Sequence, residues 1–205
     1  TCTYKTQFAA PAFDVAAQQV WLQFEGVNAS ARVTLNGVEV ASHNGGYSTF
    51  RADITTVLGE NNALTVEVDN SKNDRVYPQK ADFTFYGGIY RDVTLLVVYK
   101  NHLALVYLGG PGVQITPTGY GSYADVHVKS WTEGDCEVEF TVYEADGSEV
   151  VSGKGCDTTV TSEHPHLWDG GRVPYLYTCV VRLVLNGEVQ DEVSQHFGVR
   201  SFSVD

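Results

Sequence analysis

The tightest group of metal-ligating residue types in the sequence is His164, His166 and Asp169, which lie within six residues of one another. Imidazole and carboxylate are both common transition-metal ligands, so this spacing raises the hypothesis of a metal site. Pro165 stands between the two histidines, and an apolar Leu-Trp pair follows them at 167–168. These neighbours favour a packed segment over a ligand set, and we expect no metal here.

The four cysteines, at positions 2, 136, 156 and 179, are too few and too widely spaced for a disulfide framework. They include no CxxC pair, the close ligand spacing of a structural zinc site. We therefore expect reduced thiols, most of them small buried side chains. A bridge between Cys136 and Cys156 is the alternative, because both lie in the same half of the chain on expected strands.

The elements that must position any site are strands, because apolar and polar residues alternate through most of the chain. In VWLQFEG, Val20, Leu22 and Phe24 share one face. Asn-Gly pairs at 36–37 and 186–187 lie between such runs and predict type I′ hairpins. Further strands are predicted at 47–51, 63–69, 92–99, 123–130, 137–143, 176–185 and 189–199. Asp53 and Gly59 could bound one or two helical turns, the only helical pattern found.

The pattern predicts an all-β chain. We expect two modules, because 205 residues exceed the commonest single-domain size of roughly 100 to 150, and one large β domain is the alternative. The boundary is placed near 100–102, so that the modules span 1–100 and 101–205. A Gly-Gly-Pro-Gly stretch at 109–112 would open the second module. Spacing typical of βαβ units is missing, which excludes parallel-sheet nucleotide folds.

The net charge of -12 argues against nucleic acid and anionic lipid as partners, because both are bound through clustered Lys and Arg. The sequence contains neither a run of roughly 20 apolar residues nor a signal-peptide pattern, so we expect no membrane association. It also contains no Met. We therefore expect the chain to be a piece of a longer protein.

Several motifs resemble those of family 2 glycoside hydrolases. VWLQFEGVNASARVTLNGVEVASHNGGYSTFRADIT, NNALTVEVDN and ADFTFYGGIYRDVTLLV are similar to the family's jelly-roll sugar-binding domain. HPHLWDGGRVPYLYTCVVRLVLNGEV and HFGVRSF are similar to the immunoglobulin-like domain that follows it. The resemblance implies a partial, galactose-binding-like jelly roll, whose first strands are missing, and then an immunoglobulin-like β-sandwich.

The resemblance also implies a function for the longer protein. Family 2 enzymes retain configuration, using two Glu residues about 5 Å apart on a (β/α)₈ barrel. That barrel would begin after FGVRSFSVD, so no catalytic residue is assigned in this chain, and no cofactor is expected. The chain is interpreted as a non-catalytic support for its own catalytic barrel in a β-galactosidase that binds a β-galactoside. A homo-oligomer and either a cytoplasmic or a periplasmic location stay open.

Asp82 is the site residue that the resemblance suggests most directly. In related enzymes the Asp of a segment like ADFTFYGGIYR reaches hydroxyls of the bound sugar, and a carboxylate offers two acceptor oxygens for that purpose. Asn70 and Tyr86 lie on the same expected loop edge and are also assigned to substrate binding. Asp74 and Arg75 lie on the same edge, and turn formation or loop packing is the alternative to sugar contact for all four of these residues. A solvated turn carboxylate is the alternative for Asp82 itself.

Other motif residues are expected to be structural. Arg91 should fix a domain interface through paired hydrogen bonds to carboxylate or carbonyl groups. Gly87 and Gly88 should allow a positive φ or a close backbone approach. Leu167 and Trp168 are expected in the core of the second sandwich.

Two functions of other classes remain as alternatives. A stand-alone carbohydrate-binding module would need an aromatic row on one face, for which the sequence offers Tyr47, Phe50, Phe83, Phe85 and Tyr86. A plain interaction sandwich of immunoglobulin type is the other.

Overall fold

The computed structural model describes residues 1–107 and 110–202, and apart from a 3₁₀ conformation at Tyr107 the regular elements in them are β-strands. The expected all-β class is confirmed. The chain divides into two compact units, Thr1–Lys100 and Asn101–Asp205. Gly109, part of the glycine-rich stretch expected to open the second module, lies outside the described residues.

Unit 1 is a sandwich of two antiparallel sheets with the strand orders β1-β7-β4-β5 and β6-β2-β9, and β3 pairs separately with β8. Its strands are β1 (Cys2–Ala9), β2 (Gln18–Phe24), β3 (Val27–Asn28), β4 (Ser30–Leu35), β5 (Val38–Asn44), β6 (Phe50–Asp53), β7 (Asn61–Asp69), β8 (Gly88–Ile89) and β9 (Val93–Tyr99). Alternation builds the core, because every second residue of a strand faces the opposite sheet. Val20, Leu22 and Phe24 of β2 are at most 2% exposed.

Unit 2 is a second antiparallel sandwich, with the strand orders β11-β12-β16 and β15-β14-β17-β18 and a small β10-β13 pair. Its strands are β10 (His102–Leu103), β11 (Val113–Gly119), β12 (Tyr123–Ser130), β13 (Thr132–Glu133), β14 (Glu137–Tyr143), β15 (Glu149–Lys154), β16 (Asp157–Glu163), β17 (Tyr177–Leu185) and β18 (Glu188–Phe197). Phe140, Cys179, Val181 and Leu183 are buried at its centre.

Both predicted Asn-Gly hairpins are present. Asn36 and Gly37 have φ angles of 52° and 86°, and Asn186 and Gly187 have φ angles of 53° and 82°. Two consecutive positive φ angles are the type I′ geometry, whose twist matches that of the flanking strands. The hairpins therefore fix the registers of β4 with β5 and of β17 with β18.

The suggested helical turns after Asp53 are not helical. Asp53 accepts a hydrogen bond from the amide of Thr55 at 2.9 Å, as a capping carboxylate would, but Val57 then donates to the carbonyl of Ile54 at 3.1 Å and closes a single turn. Asn62 ends it by accepting from the amide of Gly59 at 2.8 Å. The helix prediction was wrong because a side chain from the next strand satisfies the backbone groups that a helix would have used.

Unit 1 is open along one side. On the edge strand β9, Val93 and Val97 pair with Phe24 and Val20 and so face inward. They are nevertheless 38% and 37% exposed, whereas Phe24 and Val20 are fully buried. On the edge strand β1 of the other sheet, the inward-facing Tyr4 is 37% exposed. A cavity of 260 Å³ lies between these strands, so the sandwich core is incompletely covered there.

Candidate functional site

The longest irregular segment of unit 1 joins β7 to β8 and is called here the β7–β8 loop (residues 70–87). Two amide side chains hold its first half. Asn73 Oδ1 accepts from the amides of Arg75 and Val76 at 2.9 and 3.0 Å, and Gln79 Oε1 accepts from the amide of Asn73 at 3.1 Å. Gln79 Nε2 donates to the carbonyls of Asn73 and Val76. Because Val76 is also 7% exposed, the loop has a small apolar floor and a defined shape.

The end of the loop is anchored to the strands. Asn28, which is 6% exposed, donates from Nδ2 to the carbonyl oxygen of Tyr86 at 2.6 Å. A Cβ added at Gly87 would lie 2.6 Å from Cγ of Asn70, so the Asn70 amide needs the bare backbone there. Gly88 has a φ of +100° and contacts the Tyr4 hydroxyl. The positive φ and the close approaches expected of these glycines are therefore both present.

The structure places the three proposed sugar-binding residues differently within the loop. Asn70 and Tyr86 lie close together where the loop begins and ends, since Asn70 contacts Gly87. The amide of Asn70 is used in that contact, while the Tyr86 side chain is 73% exposed. Asp82 lies in the middle of the loop, and in the described part of the chain its exposed carboxylate forms no hydrogen bond or ion pair. Asp82 is therefore one of two exposed carboxylates of the loop that have no partner in the described part of the chain, and Asp74 is the other.

The loop encloses a cavity of 530 Å³, called here the loop cavity. Its lining consists of amide, lysine and apolar side chains: Asn28, Ala29, Asn70, Ser71, Lys72, Asn73, Val76, Tyr77, Pro78, Gln79, Lys80 and Phe85. Of this set, the sequence indicated Asn70 as a sugar-binding residue and Phe85 as part of a possible aromatic row. The many Asn, Gln and Lys residues between positions 70 and 80 were the sequence feature that could have indicated this cavity. The sequence alone does not show that they lie close together, because this depends on the hydrogen bonds of Asn73 and Gln79.

The carboxylate of Asp69 marks the start of the loop. It accepts from the amide and the hydroxyl of Ser71 at 3.1 and 2.9 Å. These two hydrogen bonds stabilise the charged form and lower the pKa of Asp69 below its usual value. Asp69 is thus committed to the turn and is a structural residue.

The aromatic side chains do not form the single row that a carbohydrate-binding face would need. Phe50 stacks on the buried Phe24 with ring centroids 4.7 Å apart, so it belongs to the core. Tyr47 packs edge-on against Tyr90 at 6.4 Å. The three most exposed rings of unit 1 are instead on the loop, where Tyr77, Phe83 and Tyr86 are 73%, 61% and 73% exposed.

Arg91 is bound to carbonyl groups, as expected, but both carbonyl groups belong to unit 1, so these two hydrogen bonds do not fix a domain interface. Its guanidinium donates to the carbonyls of Glu25 and Tyr47 at 3.3 Å each, and it lies 5.3 Å from the ring centre of Tyr90. The Tyr90 hydroxyl donates to the carbonyl of Gly46. The Gly-Ile-Tyr-Arg segment therefore ties together the strands and loops on which the β7–β8 loop rests.

In unit 2 the histidine-rich segment differs from its expected packing. Leu167 is 48% exposed, so its expected core position was wrong. Trp168 is half-buried and lies flat on the backbone of Gly198, with the Arg200 guanidinium 5.1 Å from its ring centre. The reason is local: Leu167 forms an isolated bridge with Val199 at the rim of the sandwich, beyond the ends of its sheets.

The described residues contain no group of three His, Cys, Asp or Glu side chains arranged to hold a metal ion. The four cysteines are free thiols. The Cys136–Cys156 bridge is absent. Burial raises the pKa of Cys179 to about 12.

None of the described residues belongs to a helix that is long and apolar enough to cross a membrane.

One charged cluster lies on the outer face of unit 2. Asp157 on β16 accepts from His127 at 2.7 Å and from Lys129 at 2.8 Å, both on β12. These hydrogen bonds lower the pKa of Asp157. All three side chains are paired across neighbouring strands, so the cluster is a cross-strand ion-pair network.

Comparison with known proteins assigns both units. The profile described as "Glycosyl hydrolase 2 galactose-binding domain-like" matches residues 1–102, and the profile "Glycosyl hydrolases family 2" matches residues 111–200. The crystal structure of an FMN-binding β-glucuronidase from Faecalibacterium prausnitzii L2-6 superposes with a TM-score of 0.91 and 36% identity, over 98% of this chain and 33% of that chain.

Two curated relatives bear different activity names. β-Galactosidase BoGH2A of Bacteroides ovatus is 31% identical over 98% of this chain and 25% of its own length. A β-glucuronidase of Bacteroides fragilis is 29% identical over 92% of this chain and 30% of its own length. The chain thus spans a third or less of the length of these proteins. With two family 2 profiles on its two β-sandwich units, the chain belongs to glycosyl hydrolase family 2.

Proposed function

We propose that this chain is the non-catalytic N-terminal part of a retaining β-glycosidase. It supports a (β/α)₈ catalytic barrel and lends the β7–β8 loop to the substrate pocket, where Asp82 binds sugar hydroxyls. The observation that supports the proposal is the state of Asp82, which like Asp74 is an exposed carboxylate without a partner in the described part of the chain, on a loop whose two ends are fixed. The resemblance of ADFTFYGGIYR favours Asp82 over Asp74. Fixed ends reduce the entropy lost when such a loop binds a ligand.

An assay of glycoside hydrolysis tests whether this chain only supports the catalytic barrel. The purified chain should not hydrolyse p-nitrophenyl β-galactoside or β-glucuronide, whereas the parent enzyme should, because both catalytic Glu residues would belong to the barrel. Turnover by the purified chain that disappears on point substitution within it would overturn the proposal.

The parent activity is proposed to be that of a β-galactosidase, which the DFTFYGGIYRDV segment favours by its resemblance. A β-glucuronidase is the second candidate, and the observation that favours it is the presence of Lys72 and Lys80 around the loop cavity. The ratio of kcat/KM for the two p-nitrophenyl glycosides, measured on the parent enzyme, decides between them.

A stand-alone carbohydrate-binding module is the other candidate, and the three exposed aromatic rings of the loop favour it. Such a module must bind a sugar in the absence of the catalytic barrel. If the chain is an accessory part, calorimetry with lactose or galactose should give a dissociation constant weaker than about 1 mM, since one loop edge buries little of the ligand. A tighter constant would support the binding module.

The open side of unit 1 supports the proposal that the jelly roll has a further strand in the parent protein. Val93, Val97 and Tyr4 face inward yet are each more than a third exposed. β1 and β9 are both edge strands, so each offers a row of backbone groups for pairing. In the parent protein, the amides of β9 should exchange with deuterium more slowly than in the isolated chain. Equal exchange rates would contradict the proposal.

A further inference from the structure

Three Asn-Gly pairs, at 36–37, 44–45 and 186–187, are the places in the chain where a backbone nitrogen can most easily attack a side-chain amide. In this reaction the nitrogen of the following residue bonds to Cγ of Asn, ammonia leaves, and a cyclic succinimide forms. Glycine favours the attack because it has no side chain beside its nitrogen and has the most freely rotating backbone. Every other Asn of the chain is followed by Ala, Ser, Asp, His or Asn. The fold therefore decides which of the three pairs reacts.

The side chain of Asn36 is held by three hydrogen bonds. Its Nδ2 donates to the carbonyl of Val57 and to Oδ1 of Asn62, and its Oδ1 accepts from the amide of Ala63, each at 2.9 Å. The reaction requires this side chain to turn toward the nitrogen of Gly37, so these hydrogen bonds must open first. Asn36 is thus protected, although its turn has nearly the same φ angles as the other Asn-Gly hairpin.

At Asn44 the attacking atom is restrained as well as the side chain. The amide nitrogen of Gly45 donates a hydrogen bond to the carbonyl of Ala29 at 2.9 Å. The nitrogen must lose its proton to attack, so this hydrogen bond has to break beforehand. Asn44 Oδ1 also accepts from the hydroxyl of Ser30 at 2.9 Å. Both reacting groups are therefore held in place.

The pair at 186–187 has neither restraint. Asn186 is exposed, and within the described residues neither its side chain nor the amide of Gly187 forms a hydrogen bond. Backbone pairing of Leu185 with Glu188 and the two positive φ angles define the turn instead. A Cβ built at Gly187 would have no heavy atom within 4 Å, so there is open space around the turn. The two reacting groups can approach each other without breaking a side-chain hydrogen bond.

We propose that Asn186 is the preferred site of spontaneous deamidation in the folded chain. The Gly187 nitrogen forms a bond with Cγ of Asn186 while its proton passes, through water, to the side-chain nitrogen, which leaves as ammonia. Water then opens the succinimide at either carbonyl and gives aspartate or isoaspartate. No group is oxidised or reduced, and water is the only co-reactant. The proposal does not depend on the glycosidase role.

Deamidation changes the β17–β18 hairpin in two ways. Isoaspartate continues the chain through its side chain, which adds a methylene group to the backbone of the turn. Both products also place a carboxylate in a cavity lining that already includes Asp135 and Glu137. Like charges at short range repel one another. The hairpin should therefore open more often after the reaction.

Peptide mapping measures the three rates in one sample. The purified chain is incubated at mildly alkaline pH, digested with trypsin at mildly acidic pH and analysed by mass spectrometry. Peptide 33–51 contains Asn36 and Asn44, and peptide 183–200 contains Asn186. Deamidation of Asn186 should be at least about tenfold faster than that of the other two, the factor that one to two net hydrogen bonds contribute. Isoaspartate in peptide 183–200 identifies the succinimide route, because direct hydrolysis of the amide gives aspartate alone.

Two controls separate the effect of the fold from that of the local sequence. In guanidinium chloride the protecting hydrogen bonds are lost, so the three sites should react at similar rates. Asn186→Gly keeps a sequence suited to the type I′ turn but has no amide to react. After equal ageing, the β17 and β18 amides of this variant should exchange with deuterium more slowly than those of the wild type.

The inference is overturned if Asn186 reacts no faster than Asn36 and Asn44 in the folded chain. It is also overturned if the rates differ as much in guanidinium chloride as in the folded chain, because the local sequence would then set them. Equal deuterium exchange in the aged wild type and the aged Asn186→Gly variant would contradict the predicted opening of the hairpin.

Discussion

Replacing Asn28 by Ala should loosen the end of the β7–β8 loop while leaving both sandwiches folded. The Asn28 amide donates the 2.6 Å hydrogen bond to the carbonyl of Tyr86, and its backbone pairs with Gly88 on β8. Truncation removes the side-chain bond but not the strand pairing. A hydrogen bond between neutral groups contributes about 0.5 to 1.5 kcal/mol net, so local opening should become roughly 2- to 13-fold more frequent.

Hydrogen exchange measured by mass spectrometry gives this quantity directly. The peptide spanning 84–91 should exchange faster by that factor in Asn28→Ala, and peptides from unit 2 serve as the internal reference. Asn44→Ala is the matched control, because Asn44 accepts an exposed hydrogen bond from Ser30 at 2.9 Å on the edge strand β5. The reasoning is refuted if the 84–91 peptide exchanges at the wild-type rate in Asn28→Ala, or equally fast in both variants.

Three further predictions concern unit 2. Gly198→Ala should destabilise unit 2 by about 1 to 3 kcal/mol in urea denaturation, because the new Cβ would lie 2.6 Å from Cγ of Trp168. Gly171→Ala is the control and should be close to neutral, because the atom nearest to its new Cβ would be 3.9 Å away. Cys179, with its pKa raised to about 12, should resist iodoacetamide at pH 8 until the chain is unfolded, and fast alkylation in the native state would contradict its burial. The pKa of Asp157 is lowered in the folded state by its two partners on β12, so its stabilising effect is fully present above the unfolded pKa of about 3.9 and is lost as the pH falls through the folded pKa. The stability difference between wild type and Asp157→Asn should therefore shrink as the pH is lowered below about 4.

The sequence predicted strands best where alternation was regular. The strands predicted at 123–130 and 137–143 are β12 and β14 with the same bounds. β16, with the sequence DTTVTSE, was missed because only one of its seven residues is strongly apolar. It is a strand because it pairs along its whole length with β12, which a local pattern does not contain.

The site was predictable only in part, for a similar reason. Asp82 was identified by resemblance, and the structure adds that its carboxylate is exposed. The lining of the loop cavity beyond Asn70 and Phe85 was not identified, since its residues come together only when the hydrogen bonds of Asn73 and Gln79 shape the loop. The core position predicted for Leu167 was wrong. The sequence places this apolar residue next to a Trp, but its backbone forms a β-bridge with Val199 at the rim of the sandwich, where the Leu167 side chain is exposed.

Steady-state kinetics of the parent enzyme carrying Asp82→Ala test the central claim most directly. If Asp82 binds sugar hydroxyls more strongly in the transition state, kcat/KM should fall by roughly 10- to 1,000-fold, equivalent to about 1.4 to 4 kcal/mol. Asp74→Ala removes an equally exposed carboxylate from the same loop and should change kcat/KM less than about twofold, as expected for a surface substitution. Unchanged kinetics in Asp82→Ala, or the same loss in both variants, would contradict the account.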